Sequence, residues 1–308
     1  MRFERRSYAG IWVPLVTPFD EEELDRRTLE RIVEWLLGHG VHGLLALGTT
    51  GEAPHLSDDE AEQVVRCVAL TVRGRVPIMV GSGRPSTRET LRVTERLVAA
   101  GANAVLVLTP FYYRAQMDST ALAAYYQEIA AGSPAPVFVY HIPQVTGLDL
   151  DPQVLSGIVA HPNVWGFKDS SSAAGPLEAT LRSTRTIGFV GSGARVLEAL
   201  EAGACGGILA VAHALPEVCV RLYDAWRTGD RAAAANLQGH ATALANALSG
   251  WGVAGVKHAL HVRTLRAGVP RRPLPRLPRD VRERIRNVVV SALRDSHTPS
   301  RGDDPTQA

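Results

Sequence analysis

Lysine occurs at only two positions of this 308-residue chain, 168 and 257, against 31 arginines. A lysine kept inside an apolar stretch where arginine is the local habit is a candidate for amine chemistry, because an ammonium can shed its proton and a guanidinium cannot. Lys168 closes the run Val164, Trp165, Gly166, Phe167. Strand alternation puts it on the face of Gly166, whose missing side chain would leave room beside the amine. Apolar surroundings disfavour the charged form, which raises the fraction of free amine able to attack a ketone and form a Schiff base. The competing reading is an ion pair with a neighbouring carboxylate. Asp169 is not a ready partner, since adjacent strand residues point to opposite faces. Lys257 falls in the helical stretch GVAGVKHALHV and reads as a snorkelling surface or interface residue.

Other candidates lie elsewhere along the chain. Tyr140 ends the run PVFVY, and its hydroxyl is either a proton shuttle or a core group bonded to a backbone carbonyl. Thr49 and Thr50 sit in the glycine-bracketed GTTGE, where they would hold a carboxylate, pass a proton or simply make the turn. The two GSG triplets at Gly81 and Gly191 are weak phosphate loops, and only Arg195 accompanies the second. His42, His55, His141 and His213 lack the spacing of a known site and read as core or loop residues. There is no GxSxG elbow, Walker A loop or HExxH helix, and no cofactor is expected.

These residues need a frame to meet. Eight short apolar runs start at Ile11, Gly43, Pro77, Ala104, Pro136, Val164, Ile187 and Gly207, separated by amphipathic stretches. Nearly all-apolar strands fit a parallel sheet covered on both faces. In LDRRTLERIVEWLL the residues Leu29, Ile32, Val33, Leu36 and Leu37 share one helical face, and Ser57 with Glu60 forms a capping-box pattern. Eight βα units predict a closed (β/α)8 TIM barrel over 1–228, with a doubly wound open sheet as the competitor. Helical segments at 231–248, 253–267 and 281–293 predict a C-terminal helical extension over 229–295. The polar stretch 296–308 reads as a disordered tail. In a barrel the site lies at the C-terminal strand ends, which here carry GTTGE, TPFYYR, YHIPQVTG, KDSS and GSG.

Composition narrows the function classes. The net charge of +2 leaves no basic excess to neutralise a phosphate backbone, so nucleic-acid binding is not expected. No apolar run approaches the roughly 18 residues of a membrane span, and no apolar segment follows the N-terminal arginines, so the chain reads as cytoplasmic. Cys67, Cys205 and Cys219 lack CxxC pairing and read as core thiols.

GTTGE, TPFYY, YHIPQVTG and KDSS, in this order at these strand ends, resemble the dihydrodipicolinate synthase and N-acetylneuraminate lyase family from about Gly10 to Pro275. The resemblance implies a (β/α)8 barrel with C-terminal helices, no metal, and pyruvate or another 2-oxo acid as bound partner. It implies that Lys168 is the Schiff-base lysine, Tyr140 the acid/base residue and Thr49 part of the hydroxyl relay. It places Tyr112 in a neighbouring subunit's site, which makes a homodimer or homotetramer the expected assembly. Thr50, Gly191, Ile208 and Ser170 become substrate-binding positions. One departure is informative: where dihydrodipicolinate synthases usually carry an arginine for the carboxylate of aspartate semialdehyde, this chain has Val145. The stretches TPFYYRAQM, TGLDL, HPNVWGFKDS and GVAGVKHAL are most similar to 4-hydroxy-2-oxoglutarate aldolases. The expectation is a class I aldolase releasing pyruvate and an aldehyde such as glyoxylate. The alternatives are a 4-hydroxy-tetrahydrodipicolinate synthase, a 2-keto-3-deoxy sugar acid aldolase or dehydratase, and a barrel that binds an oxo acid without turnover.

Overall fold

The computed structural model describes residues 3–171, 175–184 and 186–296. Its strands are β1 (Gly10–Pro14), β2 (Phe19–Asp20), β3 (Glu23–Leu24), β4 (Gly43–Ala46), β5 (Ile78–Gly81), β6 (Ala104–Leu108), β7 (Val137–His141), β8 (Val164–Asp169), β9 (Ile187–Val190) and β10 (Gly206–Ile208). Eight of them pair in parallel in the order β1-β10-β9-β8-β7-β6-β5-β4, and β1 also pairs with β4, so the sheet closes. That closure excludes the open doubly wound alternative. The antiparallel pair β2-β3, which period and composition did not reveal, stands apart.

Alternation along each strand builds two cores. Ile11, Val13, Leu44, Ala46, Val105 and Val139 point outward to the helices. Trp12, Leu45, Met79, Leu106, Phe138 and Phe189 fill the interior. Tyr8 plugs the N-terminal end, with its ring 5.3 Å from Trp12 and 5.4 Å from Phe138. Glycine is needed where these rings press on the wall: a Cβ on Gly43 would strike Trp12. Gly166 likewise makes way for Phe138 and the backbone of Ile187, which corrects the expectation that its space serves the lysine. The register of β7 against β8 shifts at Val137/Phe138, so a bulge in β8 breaks strict alternation just before Gly166.

The helices are α1 (Arg26–Gly38), α2 (Asp58–Val72), α3 (Thr87–Ala99), α4 (Ser119–Gly132), α5 (Pro143–Thr146), α6 (Pro152–Val159), α7 (Gly175–Ser183), α8 (Val196–Glu201), α9 (Pro216–Thr228), α10 (Arg231–Leu248), α11 (Gly252–Val262) and α12 (Arg279–Ser296). Leu29, Ile32, Val33 and Leu36 of α1 are buried, and Ser57 and Glu60 close the capping box of α2. The helix expected over 253–267 stops at Val262, because Arg263 leaves helical geometry and Thr264 takes a positive φ of 66°. Residues of α10, α11 and α12 such as Leu244, Leu260 and Ile285 join the same outer core as the barrel helices. Residues 297–308 of the expected tail lie outside the described residues. Among the described residues, no helix is long and apolar enough to cross a membrane.

Candidate active site

Lys168 and Tyr140 are register partners on β8 and β7, both pointing into the C-terminal half of the barrel. The Lys168 amine is 3.4 Å from the Tyr140 hydroxyl and 4.5 Å from the centre of its ring, and the lysine is only 5% exposed. No carboxylate pairs with this amine among the described residues. Across β9, Phe189 lies beside Lys168 in register, and beyond it Gly191 stands close. A Cβ on Gly191 would collide with Ser170 Oγ and come within 3.0 Å of Lys168 Cε. Gly191, rather than Gly166, therefore leaves the amine its space. Ile208 is fully buried in the interior cluster on β10.

The outward neighbours of these two residues form a second pair. Asp169, 2% exposed, accepts from the Ser171 amide at 2.8 Å and the Ser171 hydroxyl at 3.0 Å. His141 is fully buried, with Nδ1 2.9 Å from Asp169 and Nε2 2.6 Å from Asp149. Burial opposes charge on this imidazole, but the hydrogen bonds and charges of Asp169 and Asp149 outweigh it and raise its pKa. The clamp thus joins the end of β8 to the loop after α5. Gln144 adds a bond from its side chain to the Ser170 carbonyl at 2.7 Å.

The turn carrying Thr49 and Thr50 follows β4, on the opposite side of the barrel from β8. Thr49 is exposed and Thr50 half-buried, and among the described residues neither hydroxyl bonds to Lys168 or Tyr140. Glu52 holds the turn in place. Its residue has a φ of 56°, and its carboxylate meets Lys257 Nζ at 2.7 Å and the Arg271 amide at 2.8 Å. Lys257, 2% exposed and 4.4 Å from the centre of the Phe19 ring, is a buried ion-pair partner rather than the snorkelling residue expected from helical position. No local signal distinguishes the two, because its partner lies in another element. Tyr112 is 72% exposed with its ring against Tyr113, and among the described residues its hydroxyl bonds to neither Lys168 nor Tyr140.

The remaining candidates have structural roles. Arg195 is held by Glu178 at 3.2 Å and Glu198 at 3.1 Å, and Ser82 Oγ accepts from Thr94 at 2.8 Å, so neither GSG presents a phosphate cradle. His42 accepts from the Ile11 amide, His213 from the Val16 amide, and His55 lies by Glu52. Burial pushes the Cys67 thiol up to about 11 and Cys219 to about 12, the behaviour of inert core thiols.

The model of the dihydrodipicolinate synthetase family matches residues 7–292. An uncharacterised DapA-like lyase of Halobacterium salinarum is 39% identical over 276 residues, which is 89% of this chain and 90% of that protein. A monomeric dihydrodipicolinate synthase variant superposes with a TM-score of 0.89 at 31% identity, covering 93% of this chain and 97% of that one. The dihydrodipicolinate synthase of Acinetobacter baumannii, complexed with pyruvate, gives 0.87 at 30% identity over 92% and 98%.

Proposed function

Because the chain belongs to the dihydrodipicolinate synthetase family, we propose that it is a class I aldolase that cleaves 4-hydroxy-2-oxoglutarate to pyruvate and glyoxylate. Membership makes the chain a pyruvate-dependent lyase; the residue roles and the substrate rest on the side chains. The observation that carries the reading is the buried Lys168 amine 3.4 Å from the Tyr140 hydroxyl, at a point where Gly191 adds no Cβ.

In this mechanism the amine attacks C2 of the oxo acid, and loss of water leaves a protonated imine. Tyr140, with Thr49 and with Tyr112 from a second copy of the chain, takes the proton of the 4-hydroxyl. The C3–C4 bond breaks, its electrons pass into the iminium, and glyoxylate leaves. Protonation of the enamine at C3 and addition of water at C2 release pyruvate and the free amine. Thr50, Ser170, Gly191 and Ile208 bind the pyruvyl end. The exposed Tyr112 makes a dimer the smallest complete assembly in this reading.

The distal carboxylate of this substrate needs a cation, and Val145 supplies none. Arg114 is suited to the role: its guanidinium packs so closely on Gly147, two residues beyond Val145, that a Cβ there would strike it. Arg114→Ala is expected to raise KM for 4-hydroxy-2-oxoglutarate by roughly tenfold or more, as for losing an arginine–carboxylate pair. A 4-hydroxy-2-oxo acid without the second carboxylate should be little affected, and an equal loss on both substrates would remove Arg114 from this role.

Treatment with pyruvate and borohydride tests the core of the mechanism, because reduction freezes an imine on the lysine that formed it. A reduced pyruvyl group mapped to Lys168, absent from Lys168→Ala, is the expected result. An adduct on Lys257, or none, overturns it. Product analysis with glyoxylate, aspartate semialdehyde and sugar-derived aldehydes then separates this substrate from the synthase and sugar-acid alternatives.

A further inference from the structure

The stretch from Arg263 to Arg286 holds nine arginines and only two carboxylates, in a chain whose net charge is +2. Elsewhere arginines are largely matched: Arg75 with Glu34, Arg92 with Asp58 and Arg96 with Glu62 are examples on the helical surface. In this stretch Arg263 and Arg271 have carboxylate partners in Glu217 and Glu60, and Arg279 in Glu283. Arg266, Arg276 and Arg282 have none among the described residues.

These three arginines converge on one cavity. It has a volume of about 470 Å³, lies between α11, the segment after it and the start of α12, and is also lined by Lys257, His258 and His261. No carboxylate is among its lining residues. The walls are built rather than loose: His258 Nε2 lies 3.0 Å from the Arg282 carbonyl, tying α11 to α12, and Lys257 donates to the Val269 carbonyl at 3.1 Å. Burial, together with the charges of His261, Arg282 and Arg286, lowers the pKa of His258, which is consistent with a positive potential there. Lys257 is already neutralised by Glu52, but a concave space of this size lined by three arginines without carboxylate partners fits a multiply charged small ligand.

We propose that this cavity is a binding site for a small polyanion, a molecule presenting two or more carboxylate or phosphate groups, held by Arg266, Arg276 and Arg282. Guanidinium forks suit such oxygens because each can offer two parallel N–H donors. The site is separate from the Lys168 amine, although the two are connected through the fold. Lys257, on the cavity wall, also holds Glu52 in the turn that carries Thr49 and Thr50. Binding here does not depend on the aldolase reading, and Lys168→Ala is expected to bind the anion as the parent protein does.

Titration calorimetry on the full chain at low ionic strength, with citrate and pyrophosphate as the probes, tests the proposal. One site per chain with a Kd of about 0.1 mM or tighter is expected for at least one of them. The triple variant Arg266→Ala, Arg276→Ala, Arg282→Ala should weaken that binding by roughly tenfold or more. All three side chains are exposed, so the fold should tolerate the change; the single reversal Arg276→Glu gives an independent reading if the triple variant expresses poorly. Preference for citrate would indicate a polycarboxylate ligand and preference for pyrophosphate a phosphate-bearing one. No binding by either probe, or binding that both variants retain, overturns the proposal. Calorimetry is preferred to thermal shift because such anions stabilise many folded proteins by exclusion from their surface.

Discussion

At the scale of single residues, the site is defined by what each side chain leaves free. The Tyr140 hydroxyl faces the Lys168 amine at 3.4 Å and is suited to carry a proton without forming the imine. Tyr140→Phe is expected to lower turnover by about 10²- to 10⁴-fold, the usual contribution of a general acid–base group, while borohydride still traps pyruvate on Lys168. Loss of trapping together with turnover would instead make Tyr140 part of imine formation. Gly191 makes a sharper test. Its φ is not in the left-handed region, so alanine brings no backbone strain, yet the new methyl would press on Ser170 and on Lys168 Cε. Gly191→Ala should still fold, at the roughly 1–3 kcal/mol cost of a crowded contact, and lose most pyruvate trapping. Full trapping would show that the lysine can move aside without cost.

At the scale of elements, two buried polar pairs connect strand ends to distant segments. His141 binds β8 to the loop after α5 through Asp169 and Asp149. Glu52 binds the turn after β4 to α11 and to the segment around Arg271. Removing one partner of a buried pair strands the other charge, which costs about 3–5 kcal/mol. Lys257→Met is therefore expected to destabilise by that amount in urea unfolding, and Glu52→Gln in the Lys257→Met background should recover part of it. If Lys257→Met unfolds at the parental urea concentration, the pair does not anchor the turn.

At the scale of the whole molecule, the two best-buried histidines give stability opposite slopes with pH. Burial lowers the His213 pKa to about 4, and its Nε2 accepts from the Val16 amide only when neutral. The unfolded chain takes up that proton near pH 6.5, so stability falls between about pH 6.5 and 4, by on the order of 3 kcal/mol over the window. His141 has the opposite sign. Its folded pKa is raised, so its contribution is complete below about pH 6.5 and is lost as pH rises through the higher folded value. Unfolding free energies measured across pH should show His213→Gln flattening the acid limb and His141→Asn flattening the alkaline limb. The same limb responding to both substitutions would contradict the assignment.

Much of this protein was legible in its sequence because the information is local. Apolar runs at βα spacing predict parallel strands covered on both faces, and the barrel closes in that order. The Ser57–Glu60 capping box and the buried face of α1 follow from periods of a few residues. Scarcity of lysine and strand-end position single out Lys168, and chain order places Tyr140 beside it. What tertiary structure alone decided is which distant groups meet. Gly191 rather than Gly166 frees the amine, because the β8 bulge and the Phe138 ring claim the space at Gly166. Lys257 pairs with Glu52, and His141 with Asp169 and Asp149. The basic segment after α11 folds its arginines around a cavity. Backbone period is set by near neighbours. The partner of a buried charge is set by the packing of whole elements, and a single sequence carries no local mark of it.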